Sequence, residues 1–198
     1  MQNLMTKASQ IKLLVMDVDG VLSNGQIIYD QNGHETKCFD VQDGFGVECL
    51  HKAGFKTAII TGRKSAMVDK RAKELNIDYY LQGRSDKLTA LQEILADTDI
   101  TLAECAYIGD DWVDIKALQA VGFAVAVANA HNEVIKRADM VTTRAGGHGA
   151  VRELCDLLLK ATGNYEMTLA KFLSDEAAVT STQVNDITAQ DNHTAANH

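Results

Sequence analysis

The run Ile11-Lys12-Leu13-Leu14-Val15-Met16-Asp17-Val18-Asp19-Gly20-Val21 decides the fold. Its first half is apolar without alternation, as in a short strand buried on both faces of a parallel sheet. Its second half switches abruptly to two carboxylates and a glycine. Outward from it, further short apolar runs occur at 56–60, 78–81, 105–108, 123–127 and 140–142, several rich in β-branched residues. Apolar spacing between these runs predicts helices over 45–53, 65–75, 86–95, 112–120 and 150–160, with Ser85 and Asp111 placed to cap two of them.

This order predicts an α/β fold, a Rossmann-like parallel sheet with helices on both faces. One stretch departs from it. Between Gly20 and Asp43 no helical spacing occurs, and Ile27 to Phe39 reads as two strands joined at Asn32-Gly33, a strong hairpin turn. A small β-hairpin insertion over about 21–42 is therefore expected, with no large cap domain. The expected domain runs from 1 to 173. Residues 174–198 hold four acidic side chains, no Lys or Arg and little apolar mass, and read as a polar tail.

The chain has 198 residues, of which 46% are apolar, enough for one hydrophobic core. Nineteen basic against 27 acidic side chains give a net charge of −8, so there is no basic excess to displace counterions from nucleic-acid phosphates. No apolar run approaches the roughly 18 residues of a membrane span, and Met1 to Gln10 lacks the features of a signal peptide. A soluble, cytoplasmic protein is expected. Cys38, Cys49, Cys105 and Cys155 form no Cys-x-x-Cys pair and are expected as reduced, structural thiols.

Ligands of open parallel sheets sit beyond the carboxyl ends of the strands. Three polar clusters follow strands here: Asp17-Val18-Asp19-Gly20, Thr61-Gly62-Arg63-Lys64 and Gly109-Asp110-Asp111-Trp112-Val113-Asp114. Five carboxylates crowded at one edge repel strongly unless a cation neutralises them, and an all-oxygen set suits a hard divalent ion, magnesium above all. Alone, Asp17-x-Asp19-Gly20 would be a turn and helix cap. It is no EF-hand, because Gly20 comes too early and no Glu closes the loop. Gly44-x-Gly46 is no dinucleotide fingerprint, since Cys49 stands at the third glycine. Thr61 and Gly62 offer a hydroxyl and an open backbone amide to a phosphoryl oxygen. Lys87 opens a helix, where the macrodipole disfavours a cation, and so calls for an anionic partner.

In this order and context, Asp17-x-Asp19-Gly20, Thr61-Gly62-Arg63, Lys87 and Gly109-Asp110-Asp111-x-x-Asp114 resemble the four motifs of the haloacid dehalogenase superfamily of phosphohydrolases. The resemblance extends through Asp43-Gly44-x-Gly46, Val127-Ala128-Asn129-Ala130-His131 and 145–153, covering about residues 10 to 163. It implies a magnesium-dependent phosphatase working through an aspartyl-phosphate. Its substrate would be a small keto-sugar acid phosphate with an eight- or nine-carbon chain, on the route to lipopolysaccharide sugars. Asp17 would be the nucleophile, Asp19 the acid and base, and Thr61 and Lys87 the holders of the transferring oxygens. Asp17, Asp110 and the backbone carbonyl of Asp19 would hold the metal, supported by Asp111 and Asp114. Asp40, Asp43, Gly44, Gly62, Arg63 and Arg71 would grip the substrate. Gln42 and His148 stand where basic residues are common in the family. The resemblance also implies a homotetramer with shared active sites, the hairpin being too small to act as a lid by itself. A non-catalytic assembly module of the same fold is the alternative, and the intact Asp17, Asp19, Lys87 and Asp110 oppose it.

Overall fold

The computed structural model of the chain describes residues 2–174. Six parallel strands form one sheet in the order β5-β4-β1-β6-β7-β8: β1 (Leu13–Met16), β4 (Lys56–Thr61), β5 (Tyr79–Gln82), β6 (Cys105–Gly109), β7 (Phe123–Ala126) and β8 (Met140–Val141). All four residues of β1 are buried, as their unbroken apolar run requires. Val15 lies level with Ala58 of β4 on one side and Tyr107 of β6 on the other. The chain leaves β1 to build β4 and β5, then crosses back to β6, so the order reverses beside β1. Such a reversal opens a crevice at the carboxyl ends.

Helices α2 (Val41–Lys52) and α7 (Ala150–Ala161) pack together, with α1 (Gln2–Ala8) against α7. Helices α4 (Lys87–Ala96) and α5 (Ile115–Ala120) form a second packed pair, and α3 (Ala66–Glu74) links β4 to β5. The core runs through the sheet and is made of residues such as Leu13, Met16, Ile59, Ile108, Phe123 and Leu154. No helix among the described residues is long and apolar enough to cross a membrane. Cys49, Cys105 and Cys155 are buried, Cys38 is exposed, and all four are free thiols.

Several sequence expectations need correction. Helix α2 begins at Val41, four residues before the expected start, because Asp40 caps it by accepting from Gln42 N at 2.7 Å. Two glycines in its first turns mask that start in the sequence. The cap position of α4 is Asp86 rather than Ser85, and the Asp86 carboxylate is held by Arg84 at 2.7 and 2.8 Å. The 112–120 helix is divided into a tight turn, Trp112–Asp114, capped by Asp111, and α5. The hairpin is smaller than expected, β2 (Ile28–Tyr29) pairing with β3 (Glu35–Thr36). Its connection is longer than two residues: Asp30 Oδ1 accepts from Asn32 N and His34 N, both at 2.8 Å, so the aspartate organises the connection over 30–34. Three helices were not foreseen: α1, the single turn α6 (Asn132–Ile135) and α8 over 165–174. The tail expected at 174–198 lies, beyond Ser174, outside the described residues.

Candidate active site

The backbone of Asp17 makes the last rung on β1, its N–H donating to Ile108 O at 3.2 Å. Its carboxylate is thereby fixed at the centre of the crevice, with 5% of the residue exposed. From α4, Lys87 Nζ donates to Asp17 Oδ1 at 2.6 Å and to the Ile60 carbonyl at 2.7 Å, and lies 3.4 Å from Asp114 Oδ1. The lysine is itself buried, so its unfavourable place at a helix start is offset by two carboxylates and a strand carbonyl.

Asp114 is fully buried, and both its oxygens are engaged. Oδ1 accepts from the Tyr107 hydroxyl at 2.7 Å, and Oδ2 from the backbone N–H groups of Asp110 and Asp111 at 3.1 and 3.3 Å. Asp114 therefore shapes the turn that carries Asp110. Burial and neighbouring carboxylates hold the Tyr107 phenol well above its ordinary range, keeping it a donor. Asp17 is pushed up to about 6, first by burial and then by the charge of Asp114, against the pull of Lys87. Asp110 is pushed up to about 7 by burial, then by Asp17, Asp114 and Asp111.

One oxygen each from Asp17, Asp110 and Asp114 lies within 4.8 Å of the others. More negative charge is therefore gathered here than Lys87 alone neutralises. Hard oxygen donors with that surplus fit a divalent ion such as magnesium, and since Asp114 is saturated by other donors, Asp17 and Asp110 are the carboxylates open to it. Gly20 makes the arrangement possible. It has φ +92°, and a Cβ built there would fall 2.1 Å from Asp110 Oδ2. The loop before α7 also closes on this turn: Gly147 N donates to Val21 O at 2.8 Å, and a Cβ on Gly146 would fall 1.6 Å from the Gly20 carbonyl oxygen.

The other expected residues divide into two groups. Thr61 ends β4 and is buried, and Gly62 and Arg63 follow it at the same edge. Asp40, Asp43, Gly44 and Arg71 form a second group, in which Arg71 Nη2 donates to Asp40 O at 3.4 Å. Arg71 lines a groove of about 410 Å³ between α2 and α3, with Phe45, Glu48, His51, Glu74 and Leu75. Asp43 is buried and accepts from Arg152 N at 2.8 Å and Gly149 N at 3.4 Å, so its carboxylate joins α2 to α7. Among the described residues no hydrogen bond or ion pair joins this second group to Asp17 or Asp19. Gln42 accepts from Arg144 Nη1 at 2.5 Å, which brings a cation beside the neutral amide, and His148 is exposed.

The hairpin contributes what sequence reading missed. Lys37, with a fully buried side chain, donates to Asp19 Oδ1. Glu35 Oε1 lies 3.3 Å from Lys37 Nζ and 3.1 Å from Arg63 Nη2. The available signal was the pair of opposite charges two apart, which puts both on one face of a strand. The hairpin, expected to be too small to act as a lid by itself, places a cation on Asp19 within its own protomer.

A buried aspartate after the first strand, a lysine on it, and an acidic turn after a later strand, set at the switch point of a parallel sheet, define a haloacid dehalogenase-like hydrolase. The family of that description matches residues 81–154. The 3-deoxy-D-manno-octulosonate 8-phosphate phosphatase of Salmonella typhi is 49% identical over 164 residues, covering 83% of this chain and 87% of that protein. The crystal structure of the Moraxella catarrhalis phosphatase of that name, in complex with magnesium, phosphate and a KDO molecule, is 52% identical with a TM-score of 0.85, covering 87% of this chain and 99% of that one. The cobalt-bound form of the Haemophilus influenzae deoxy-D-mannose-octulosonate 8-phosphate phosphatase is 40% identical with a TM-score of 0.77, covering 80% and 93%. The chain belongs to the 3-deoxy-D-manno-octulosonate 8-phosphate phosphatase family of haloacid dehalogenase-like hydrolases.

Proposed function

We propose that this chain hydrolyses 3-deoxy-D-manno-octulosonate 8-phosphate to the free sugar acid and phosphate, as a step of lipopolysaccharide sugar synthesis in the cytoplasm. The observation that carries the reading is the buried Asp17–Lys87 pair, 2.6 Å apart, with Asp110 beside it. Lys87 keeps Asp17 oriented at the end of β1, so that its free oxygen can attack phosphorus and take the phosphoryl group as an aspartyl-phosphate. Asp19, two residues on and beyond the strand end, gives a proton to the departing sugar oxygen. The same carboxylate then takes a proton from the water that cleaves the acyl-phosphate, which regenerates Asp17. Thr61, the Gly62 amide and Lys87 hold the transferring oxygens. Asp17, Asp110 and the Asp19 carbonyl would hold magnesium, which when bound neutralises phosphate charge as a Lewis acid. Asp111 and Asp114 fix the turn carrying Asp110. Arg63 and Arg71 suit the anionic groups of a sugar-acid phosphate, Asp40, Asp43 and Gly44 shaping the segment around Arg71.

The exposed Ile27, Ile28 and Tyr29 support a homotetramer in which hairpins pack together and neighbours complete each pocket. Phosphate release from the octulosonate 8-phosphate, a nonulosonate 9-phosphate and an aryl phosphate, each with magnesium and with chelator, tests the reading. The octulosonate ester should give by far the highest kcat/KM, and turnover should vanish in chelator. Equal rates on all three esters would refute the substrate, and full activity in chelator would refute the metal.

A further inference from the structure

Lys37 is the lysine of the hairpin. It follows directly on β3, in a hairpin whose apolar residues Ile27, Ile28 and Tyr29 are all exposed, yet its own side chain is fully buried. Burying a lysine is costly unless it is paired, and it is paired here with Asp19 Oδ1. Glu35, on the same face of β3, approaches Lys37 Nζ at 3.3 Å and Arg63 Nη2 at 3.1 Å. Its Oε1 atom is buried and accepts no hydrogen bond, so it is held by charge alone. The chain Asp19, Lys37, Glu35, Arg63 thus ties the hairpin both to the turn after β1 and to the loop after β4.

We propose that Lys37 is a positioning residue for Asp19, and that Glu35 is the tether that keeps Lys37 there. This rests on the reading of Asp19 as the acid and base of phosphate-ester hydrolysis. An aspartate in the loop after a strand has free χ1 and χ2 rotation, and a carboxylate that wanders transfers protons poorly. Lys87 restrains Asp17 as Lys37 restrains Asp19. The lysine exchanges no proton in this role. It holds the carboxylate where the leaving oxygen and, later, the water must meet it. Because Lys37 acts on the proton-transfer group and not on the sugar, its contribution should be felt equally by every phosphate ester the enzyme accepts.

The test compares K37M, K37R and E35Q with the parent enzyme in magnesium, on the octulosonate 8-phosphate and on an aryl phosphate lacking any carboxylate. K37M should lower kcat by about tenfold to a hundredfold on both esters, with KM changed less than about threefold. K37R should recover a large part of that loss, and E35Q should fall between K37M and the parent. Thermal melts with and without magnesium accompany each variant. An unchanged magnesium-induced rise in Tm shows that Asp17 and Asp110 are undisturbed, and E35Q and K37R carry the test if K37M does not fold. Unchanged kcat in K37M, or a loss confined to KM for the sugar acid, would overturn the inference. D17N serves as the reference: if it still turns over, the phosphatase mechanism itself fails, whereas an inert D17N beside a fully active K37M sinks the role of Lys37 alone.

Discussion

At the carboxyl edge of the sheet, the buried polar groups meet their partners inside the protomer. Lys87 meets Asp17 and the Ile60 carbonyl, while Asp114 meets Tyr107 and two amides. The hairpin follows the opposite plan. Only two residues pair on each strand, its apolar side chains face outward, and its ion pairs to the rest of the chain run from Lys37 and Glu35. A two-stranded hairpin of this size is marginal by itself. The difference teaches that precision in this molecule comes from the sheet, which fixes Asp17 by a backbone rung. The carboxylate of Asp19 is held instead by an element that draws its order from ion pairs with the rest of the chain.

The comparison breaks first at the nucleophile. D17N should lose turnover by roughly four orders of magnitude, because its amide cannot attack and holds metal poorly, and D19N by about a hundredfold to ten-thousandfold. Single-turnover phosphate release measures both. A D17N enzyme with appreciable activity would mean that the well-ordered edge is not where the chemistry occurs.

The second break is energetic. Lys87→Met leaves Asp17 and Asp114 buried without their cation, and should cost about 3–5 kcal/mol in urea unfolding carried out in chelator. The corresponding change in the hairpin, Lys37→Met, should cost less, since its partner Asp19 is about a quarter exposed and is not left as a fully buried charge.

A third measurement separates cation-held from amide-held carboxylates. Asp43, buried between α2 and α7, is pushed up to about 6, chiefly by burial. Between pH 4 and 6 the folded carboxyl binds a proton that the unfolded one has released. Stability from this group is therefore complete below its unfolded pKa, near 4, and is lost as pH rises through 6. D43N should remove that slope, so the difference in unfolding free energy between parent and D43N should change by roughly 2–3 kcal/mol across the window. Parallel pH profiles would show that Asp43 is not perturbed as the geometry implies.

The smallest effect on the fold should come from the hairpin surface. Ile28→Glu with Tyr29→Lys touches exposed side chains and should change unfolding free energy by under about 0.5 kcal/mol. Light scattering should nevertheless show the mass falling toward that of a protomer. A variant that kept the parent's mass, or a parent already monomeric with full activity, would show that the hairpin needs no other copy.

The sheet was legible because its strands are unbroken apolar runs, and the Asp17 turn because polar residues follow them at once. Lys87 was legible because a cation at a helix start is electrostatically out of place. Other features left weaker marks. Helix α2 starts inside a glycine-containing stretch, and its cap, Asp40, is one of the residues that the family resemblance assigns to the substrate. Tyr107 sits in β6 as one more apolar residue, although its hydroxyl reaches Asp114. Lys37 looks like any polar residue of a small hairpin, because its importance lies in a contact 18 residues back in the chain. Asp43 reads from its motif as a substrate residue, while its carboxylate accepts from amides more than a hundred residues ahead.

The meeting of the Gly20 turn with the loop at Gly146 bears on how the molecule comes into being. Gly147 N and Val21 O, 126 residues apart, join the turn after Asp17 to the approach to α7. Contacts that close so much chain have a large entropic cost and form late, which slows folding. A nascent chain would complete β1 early in synthesis, yet its phosphate-handling turn would reach final shape only after the last helix of the sheet layer had docked. The proposed nucleophile, Asp17, near the start of the chain, therefore depends on sequence near its end for its competence, and partly made chains would be catalytically silent.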